Sequence, residues 1–139
     1  MGEFSFGHWL RALIWKVTGK GREESIGPGL LSARERGIIE STRQRCAADC
    51  ELAAELLRRD LPGGSKRRYA GERLLHEVYE YQGKVFDVTA KQFVRPGLWT
   101  EEDLAHIGLT EAVETGAFTS QQHRVFMDKV IGGLGGVRD

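Results

Sequence analysis

Two residues near the middle of the chain, Gln82 and Gly83, constrain the fold more than any other feature. They separate two segments, 74–81 and 84–89, that alternate in apolar and polar character. Alternation with a period of two is typical of a half-buried strand. A two-residue loop that contains glycine joins antiparallel strands in a fixed register. The sequence therefore predicts a β-hairpin in which Tyr81 faces Lys84.

The register of this hairpin brings two ionisable residues together. Val78 should face Asp87 and His76 should face Thr89, and residues two apart along a strand share a face. The Cβ atoms of His76 and Asp87 are then about 7–8 Å apart on one face, close enough for the imidazole and the carboxylate to meet. Such a carboxylate fixes the imidazole tautomer, favours the imidazolium and leaves the second ring nitrogen available for a thiol.

Helical patterns precede the hairpin. Residues 5–18 form an amphipathic pattern that the glycines of 19–29 interrupt, and residues 33–45 predict a second helix. Asp49 is a suitable N-cap for a further helix that ends before the Pro62-Gly63-Gly64 segment. We therefore divide the chain into an N-terminal helix and glycine-rich linker, 1–30, and a domain, 31–139.

Further helices are predicted after the hairpin. They should begin near Thr100, which has capping-box character, at Thr110 and at Ser120. The last of these should end near Ile131, and the glycine-rich segment 132–136 is expected to be loose.

Composition argues against several classes of function. The 20 Lys and Arg residues balance the 20 Asp and Glu residues, so no bulk attraction to nucleic acid or anionic lipid is expected. The compact basic run 66–68 is interpreted as a solvated loop. The longest apolar run, 9–17, is interrupted by charges and is too short to span a bilayer. No signal-peptide cleavage pattern is present.

The two cysteines, Cys46 and Cys50, are the strongest candidates for chemistry. They are too few for a disulfide framework, and no second Cys/His pair completes a zinc pattern, so we predict no metal or cofactor. Cys50 should lie on the first turn of the helix capped by Asp49, where the amide dipoles favour a thiolate. If the helices on either side of Asp49 were fused, both thiols would share a face and this placement would fail.

Three further histidines lie on separate helical segments without a spaced partner. They are His8, His106 and His123, and no metal site is predicted for any of them. The predicted catalytic set is Cys50 as nucleophile, His76 as base and Asp87 as the residue that orients the base.

The segment from His76 to Phe93, HEVYEYQGKVFDVTAKQF, resembles the histidine and aspartate block of papain-fold toxin domains. The Asp49-Cys50 pair and the leucine-rich helix after it resemble the nucleophile helix of those domains. The resemblance covers about residues 44–93. It implies an α+β, papain-like fold, with the nucleophile helix packed on a small antiparallel sheet and additional N- and C-terminal helices.

The same resemblance implies a biological role. Papain-fold toxin domains stand at the C-termini of bacterial polymorphic toxins, including contact-dependent inhibition and secretion-system effectors. The chain would then be a secreted or delivered effector that acts on a protein substrate in the target-cell cytoplasm. A cognate immunity protein would inhibit it, and neither a nucleic-acid partner nor a membrane span is expected.

The resemblance also implies cysteine-dependent acyl transfer, in which a protein is cleaved, deamidated or transamidated through a thioester. We take deamidation as the first choice. Gln44, six residues before Cys50, would donate to the oxyanion together with the backbone amide of Cys50. Related domains often carry two close cysteines; we favour Cys50, with Cys46 as a packing residue. The alternative is a non-catalytic protein-binding module in which Cys50 is buried and the His76–Asp87 pair braces the hairpin.

Overall fold

The computed structural model describes residues 31–46 and 49–138. The predicted N-terminal helix and the linker, 1–30, lie outside these residues. The elements follow in this order: α1 Ala33–Cys46, α2 Cys50–Asp60, β1 Ser65–Gly71, β2 Leu75–Tyr81, β3 Lys84–Phe86, a 3-10 helix Ala90–Phe93, α3 Glu101–Ile107, α4 Thr110–Thr115, β4 Ala117–Thr119, α5 Ser120–Leu134 and β5 Gly136–Arg138.

The five strands form one antiparallel sheet in the order β4-β3-β2-β1-β5. Alternate residues of the strands enter two apolar clusters, one on each face. Tyr79, Phe86 and Ala117 pack with α1 and α2, whereas Val78 and Val85 belong to the cluster that includes α3, α4 and α5. The predicted α+β architecture, with helices packed on a small antiparallel sheet, is therefore confirmed.

The hairpin has the predicted register at its closed end. Tyr81 pairs with Lys84, and Gln82 and Gly83 have φ angles of 50° and 77°, the positive values that a tight hairpin loop with right-handed strand twist requires. The second strand of the hairpin, β3, is shorter than predicted, because it ends at Phe86. The Asp87 N–H instead donates to the carbonyl of Gly116 at 2.8 Å, so Asp87 lies just beyond the ladder.

The prediction of a loop at the basic run 66–68 was wrong, because these residues lie in β1 between β2 and β5. Their side chains are exposed, and each meets an acidic partner. The carboxylates of α2 and β2 thus offset the like-charge repulsion along the strand. The partners are Glu55 for Lys66, Glu80 for Arg67 and Glu77 for Arg68.

The glycine-rich tail was also predicted wrongly, since α5 continues to Leu134 and β5 pairs with the end of β1. A Cβ atom on Gly136 would lie 2.5 Å from the Leu74 side chain. A side chain at this position would require the Leu74 side chain to move. The segment 132–136 is therefore ordered as the end of α5 and the start of β5.

The helix that carries Cys50 begins and ends as the sequence predicts. The Asp49 carboxylate accepts a hydrogen bond from the Leu52 N–H at 3.0 Å, and the helix runs from Cys50 to Asp60. Because α1 ends at Cys46 and Asp49 has extended backbone angles, the two helices are separate. The placement of Cys50 on a first turn is therefore confirmed.

The far end of α2 is tied to β2 by the Tyr79 hydroxyl. This hydroxyl donates to the carbonyl of Leu61 and accepts from the N–H of Gly64 at 2.8 Å. A Cβ atom on Gly64 would lie 2.1 Å from the Glu80 carbonyl oxygen, so only glycine fits at this approach. The turn between α2 and β1 is consequently held against the central strand.

The helices after the hairpin agree with their predicted starts. Thr100 and Thr119 each form a reciprocal capping box, with Asp103 and Gln122 respectively.

Among the residues that the structure describes, none of the helices is both long enough and apolar enough to cross a membrane.

Candidate active site

His76 and Asp87 are in direct contact, as the hairpin register predicts. The Nε2 atom of His76 lies 2.9 Å from each carboxylate oxygen of Asp87. Their residue exposures are 0% and 1%, so water does not screen the pair. His76 is placed by β2, and Asp87 by the backbone bond to Gly116 just past β3.

The Cys50 thiol lies at the start of β2. Its Sγ atom is 3.7 Å from the Leu75 carbonyl oxygen, and its closeness to the next residue, His76, contributes to the raised pKa of that imidazole. The N-terminus of α2 supplies amide dipoles that favour negative charge at this position. The structure therefore brings the three predicted residues, Cys50, His76 and Asp87, into one cluster.

Both members of the buried pair have strongly shifted pKa values. Burial disfavours the charged imidazole, but the charge and hydrogen bond of Asp87, together with the Cys50 interaction, outweigh it and raise the pKa of His76 to about 9. Burial likewise disfavours the Asp87 carboxylate, but the His76 charge and hydrogen bonds from His123 and His76 hold the pKa of Asp87 well below its ordinary value. Near neutral pH the pair is therefore an imidazolium and a carboxylate.

A second histidine, which the sequence analysis left without a partner, also binds Asp87. The Nε2 atom of His123 lies 2.7 Å from Asp87 Oδ2, although 36 residues separate them in the chain. A signal was present in the sequence, because His123 precedes Phe126, Met127 and Val130 at helical spacing and so lies on the buried face of α5. A histidine on an apolar face requires a buried polar partner.

Gln92 is a further residue of the site that the sequence analysis did not select. Its side-chain nitrogen lies 3.0 Å from Thr89 Oγ1 and 3.4 Å from Nδ1 of His76. The edge contact of Phe93, with ring centroids 4.8 Å apart, closes another side of the imidazole. The 3-10 helix after Asp87 thus contacts the His76 ring through two side chains, Gln92 and Phe93.

Gln44, the predicted oxyanion donor, lies elsewhere. Its side chain is exposed on α1, and its amide nitrogen is 3.4 Å from a carboxylate oxygen of Glu40. In the part of the chain that the structure describes, no hydrogen bond joins Gln44 to Cys50 or His76. An amide that does contact His76 is that of Gln92, so this geometry does not support the assignment of Gln44.

Cys46 has the surroundings of a packing residue. It is the last residue of α1 and belongs to the apolar cluster under α2. Burial, and next the nearby charge of Asp49, raise the pKa of the Cys46 thiol. Both cysteines are free thiols.

Within the described ranges, no group of three or more His, Cys, Asp or Glu side chains could hold a metal ion. Comparisons of the chain with models of protein families, with curated proteins and with solved structures gave no match.

Proposed function

We propose that this domain is a cysteine-dependent acyl-transfer enzyme of papain-like type, and that its reaction is the deamidation of a protein glutamine. The observation that carries the proposal is the cluster of Cys50, His76 and Asp87. The thiol is at a helix N-terminus and contacts the carbonyl of Leu75, the residue before His76, and the Asp87 carboxylate binds Nε2 of that histidine. This order of nucleophile, base and orienting acid is the arrangement that activates a weak nucleophile.

The electrostatics of the pair support a charged resting state. A protonated His76 next to Cys50 would stabilise negative charge on sulfur, and the first-turn amides of α2 would add to this effect. In the first chemical step the sulfur attacks the carboxamide carbon of a glutamine side chain. The C–N bond then breaks as His76 gives its Nδ1 proton to the leaving ammonia, and a thioester remains on Cys50.

The second chemical step regenerates the enzyme. His76 removes a proton from water, which attacks the thioester carbon, and the C–S bond breaks to release glutamate and the Cys50 thiolate. Asp87 keeps the imidazole in the required tautomer through both steps. A lysine amine in place of water would give transamidation, and a peptide carbonyl in place of the side-chain amide would give cleavage, by the same transfers.

The proposed biological context rests on the sequence resemblance. A delivered bacterial effector acting in the target-cell cytoplasm, held inactive in the producing cell by an immunity protein, suits a small enzyme that needs only a thiol and two side chains. The nucleophile helix packed on an antiparallel sheet is compatible with the papain-like architecture.

One observation favours the alternative, a non-catalytic protein-binding module. Cys50 is 7% exposed and His76 is fully buried. A thiol whose only role is packing would have the same burial, and a buried His–Asp pair could serve only to brace the hairpin.

Thiol reactivity separates the two functions. The Cys46→Ala variant, which leaves Cys50 as its sole cysteine, is treated with iodoacetamide near neutral pH in the native state and after denaturation, and labelling is followed by mass spectrometry. A catalytic Cys50 should react faster in the native protein, because its thiolate is stabilised there. Slower native labelling supports the binding module.

A cellular assay tests the reaction itself. Expression of the wild-type chain, but not of Cys50→Ala, should arrest growth of a host cell. Host proteins should then gain about 1 Da at specific glutamines, as expected when an amide becomes a carboxylate through a thioester. Equal toxicity of the two chains, together with slow labelling of Cys50, would rule out the enzyme.

A further inference from the structure

We propose that His123 is a positioning residue of the Cys50–His76–Asp87 site: it fixes the Asp87 carboxylate, and thereby the imidazole that acts on the thiol. The inference deepens the proposed function and rests on it for its catalytic meaning. It assigns a role in the chemistry to α5, which contributes no residue to the three-residue set predicted from the sequence.

The contacts of Asp87 show why a second histidine is needed. The Nε2 atom of His76 is equally distant, 2.9 Å, from both carboxylate oxygens, so this single N–H is shared and does not by itself select a rotation of the carboxylate. His123 binds Oδ2 alone, at 2.7 Å. The carboxylate plane is therefore fixed by the second contact.

Burial makes this second contact more consequential. Asp87 is 1% exposed and its carboxylate is ionised, and a buried carboxylate needs a donor for each oxygen. Without His123, Oδ2 would have only its share of the His76 N–H. The carboxylate would then rotate or admit water, and either change would move the imidazole relative to Cys50.

His123 itself is held in one tautomer and one orientation. The Tyr69 hydroxyl lies 3.4 Å from Nδ1 of His123, and a phenol O–H that donates there leaves the ring hydrogen on Nε2, facing Asp87. The Phe118 ring contacts the imidazole at 5.0 Å between centroids, nearly perpendicular to it. The capping box of Thr119 and Gln122 fixes the helix turn from which His123 projects.

A buried series of contacts thus runs from Tyr69 through His123 and Asp87 to His76, and Cys50 lies at the carbonyl of Leu75, the residue before His76. These residues come from β1, α5, the end of β3, β2 and α2. The site is therefore assembled across the three central strands of the sheet, and the C-terminal third of the chain is part of it.

The test uses the alkylation rate of Cys50, which needs no knowledge of the substrate. In a Cys46→Ala background, the rate with iodoacetamide is measured from about pH 5 to pH 9 for three chains: the parent, His123→Ala and His123→Gln. Glutamine retains an N–H donor at the end of a side chain of similar reach. Met127→Ala, on the same buried face of α5, serves as the packing control.

We expect His123→Ala to lower the neutral-pH rate by about tenfold and to move the rise in reactivity to higher pH, because the imidazolium loses its fixed partner. His123→Gln should recover most of the rate, and Met127→Ala should keep the parent profile even if it unfolds more easily. The inference is overturned if His123→Ala keeps the parent profile, or if His123→Gln and His123→Ala are equally impaired.

These results are distinguishable from failure of the proposed function. If Cys50→Ala remains toxic but the His123 series behaves as expected, the domain is not the proposed enzyme, although His123 still positions the thiol–imidazole pair. If toxicity depends on Cys50 while the His123 series is flat, the enzyme stands and His123 is only structural.

Discussion

The C-terminal end of α1 and the N-terminal end of α2 each carry a cysteine, and the two thiols differ in surroundings more than in exposure. Cys46 is 4% exposed and Cys50 is 7% exposed. Cys46 lies among apolar side chains, where burial raises its pKa. Cys50 is the first residue of α2, where the backbone amide dipoles point toward it, and it is close to His76, whose pKa is raised to about 9.

The two thiols therefore differ in their electrostatic surroundings although their exposures are similar. The polarity of the helix end and the charge of the neighbour determine whether a thiolate is stabilised. Four residues along the chain are sufficient to separate a packing thiol from a candidate nucleophile, because one helix ends and another begins between them.

The largest expected effect is on activity when each cysteine is replaced by alanine in a separate variant. Cys50→Ala should reduce activity by a factor on the order of 10⁴ or more, since the step that forms the thioester loses its nucleophile. Cys46→Ala should keep activity near wild type. Growth arrest of a host cell and glutamine deamidation measured by mass spectrometry report both effects. The reverse pattern would make Cys46 the nucleophile.

A smaller loss is expected from Asp87→Asn. The amide preserves the shape of the carboxylate but removes the charge that holds His76 protonated and in the correct tautomer, so the rate should fall by about 10²–10⁴. Alkylation of Cys50 near neutral pH should slow as well. Asp128→Asn, at an exposed position on α5, is the matched control. An unchanged alkylation rate in Asp87→Asn would show that the reactivity of the Cys50 thiol does not depend on the His76–Asp87 pair.

The pH dependence of folding stability tests the charged pair that distinguishes the surroundings of Cys50 from those of Cys46. The folded pKa of His76 is raised from 6.5 to about 9, so its stabilisation is fully present below pH 6.5 and is lost as pH rises through 9. The free energy of unfolding should fall by about 1–3 kcal/mol over this interval, as measured by urea denaturation. His76→Gln should remove that decline, whereas a decline that persists would assign it to other groups.

The smallest effect concerns Cys46 as a core residue. Cys46→Ala should lower the free energy of unfolding by about 1–2 kcal/mol through the cavity it leaves, with little change in Cys50 alkylation. Cys46→Val should be closer to neutral because it refills the space. If neither variant changes stability, the packing role of Cys46 is wrong.

The features that could be predicted from the sequence are those fixed by local chemistry. The Gln82-Gly83 turn sets the register of the hairpin, and Asp49 sets the start of α2, because both depend on neighbours a few residues away. The His76–Asp87 contact followed from that register, even though β3 ends one residue before Asp87.

The features that were missed depend on partners distant in the chain. Strands β1 and β5 have no alternation of apolar and polar residues that would predict a strand. β1 forms by pairing with β2, and β5 forms by pairing with the end of β1. His123 meets Asp87 only after α5 packs on the sheet. Gln44 was chosen by its spacing from the cysteine, and spacing does not determine which way a side chain on α1 points.

The clasp that Tyr79 makes between Leu61, Gly64 and β2 has a consequence at the opposite end of α2. An eleven-residue helix is a stiff rod about 16 Å long, so an angular error at its anchored base is magnified at its tip. The tyrosine hydroxyl holds the C-terminal end of α2 on β2, the strand that also bears His76. The helix with the sulfur and the strand with the imidazole are thus joined directly. Both ends of α2 therefore contact β2: its C-terminal end through the Tyr79 hydroxyl, and its first residue, Cys50, at the carbonyl of Leu75, next to His76.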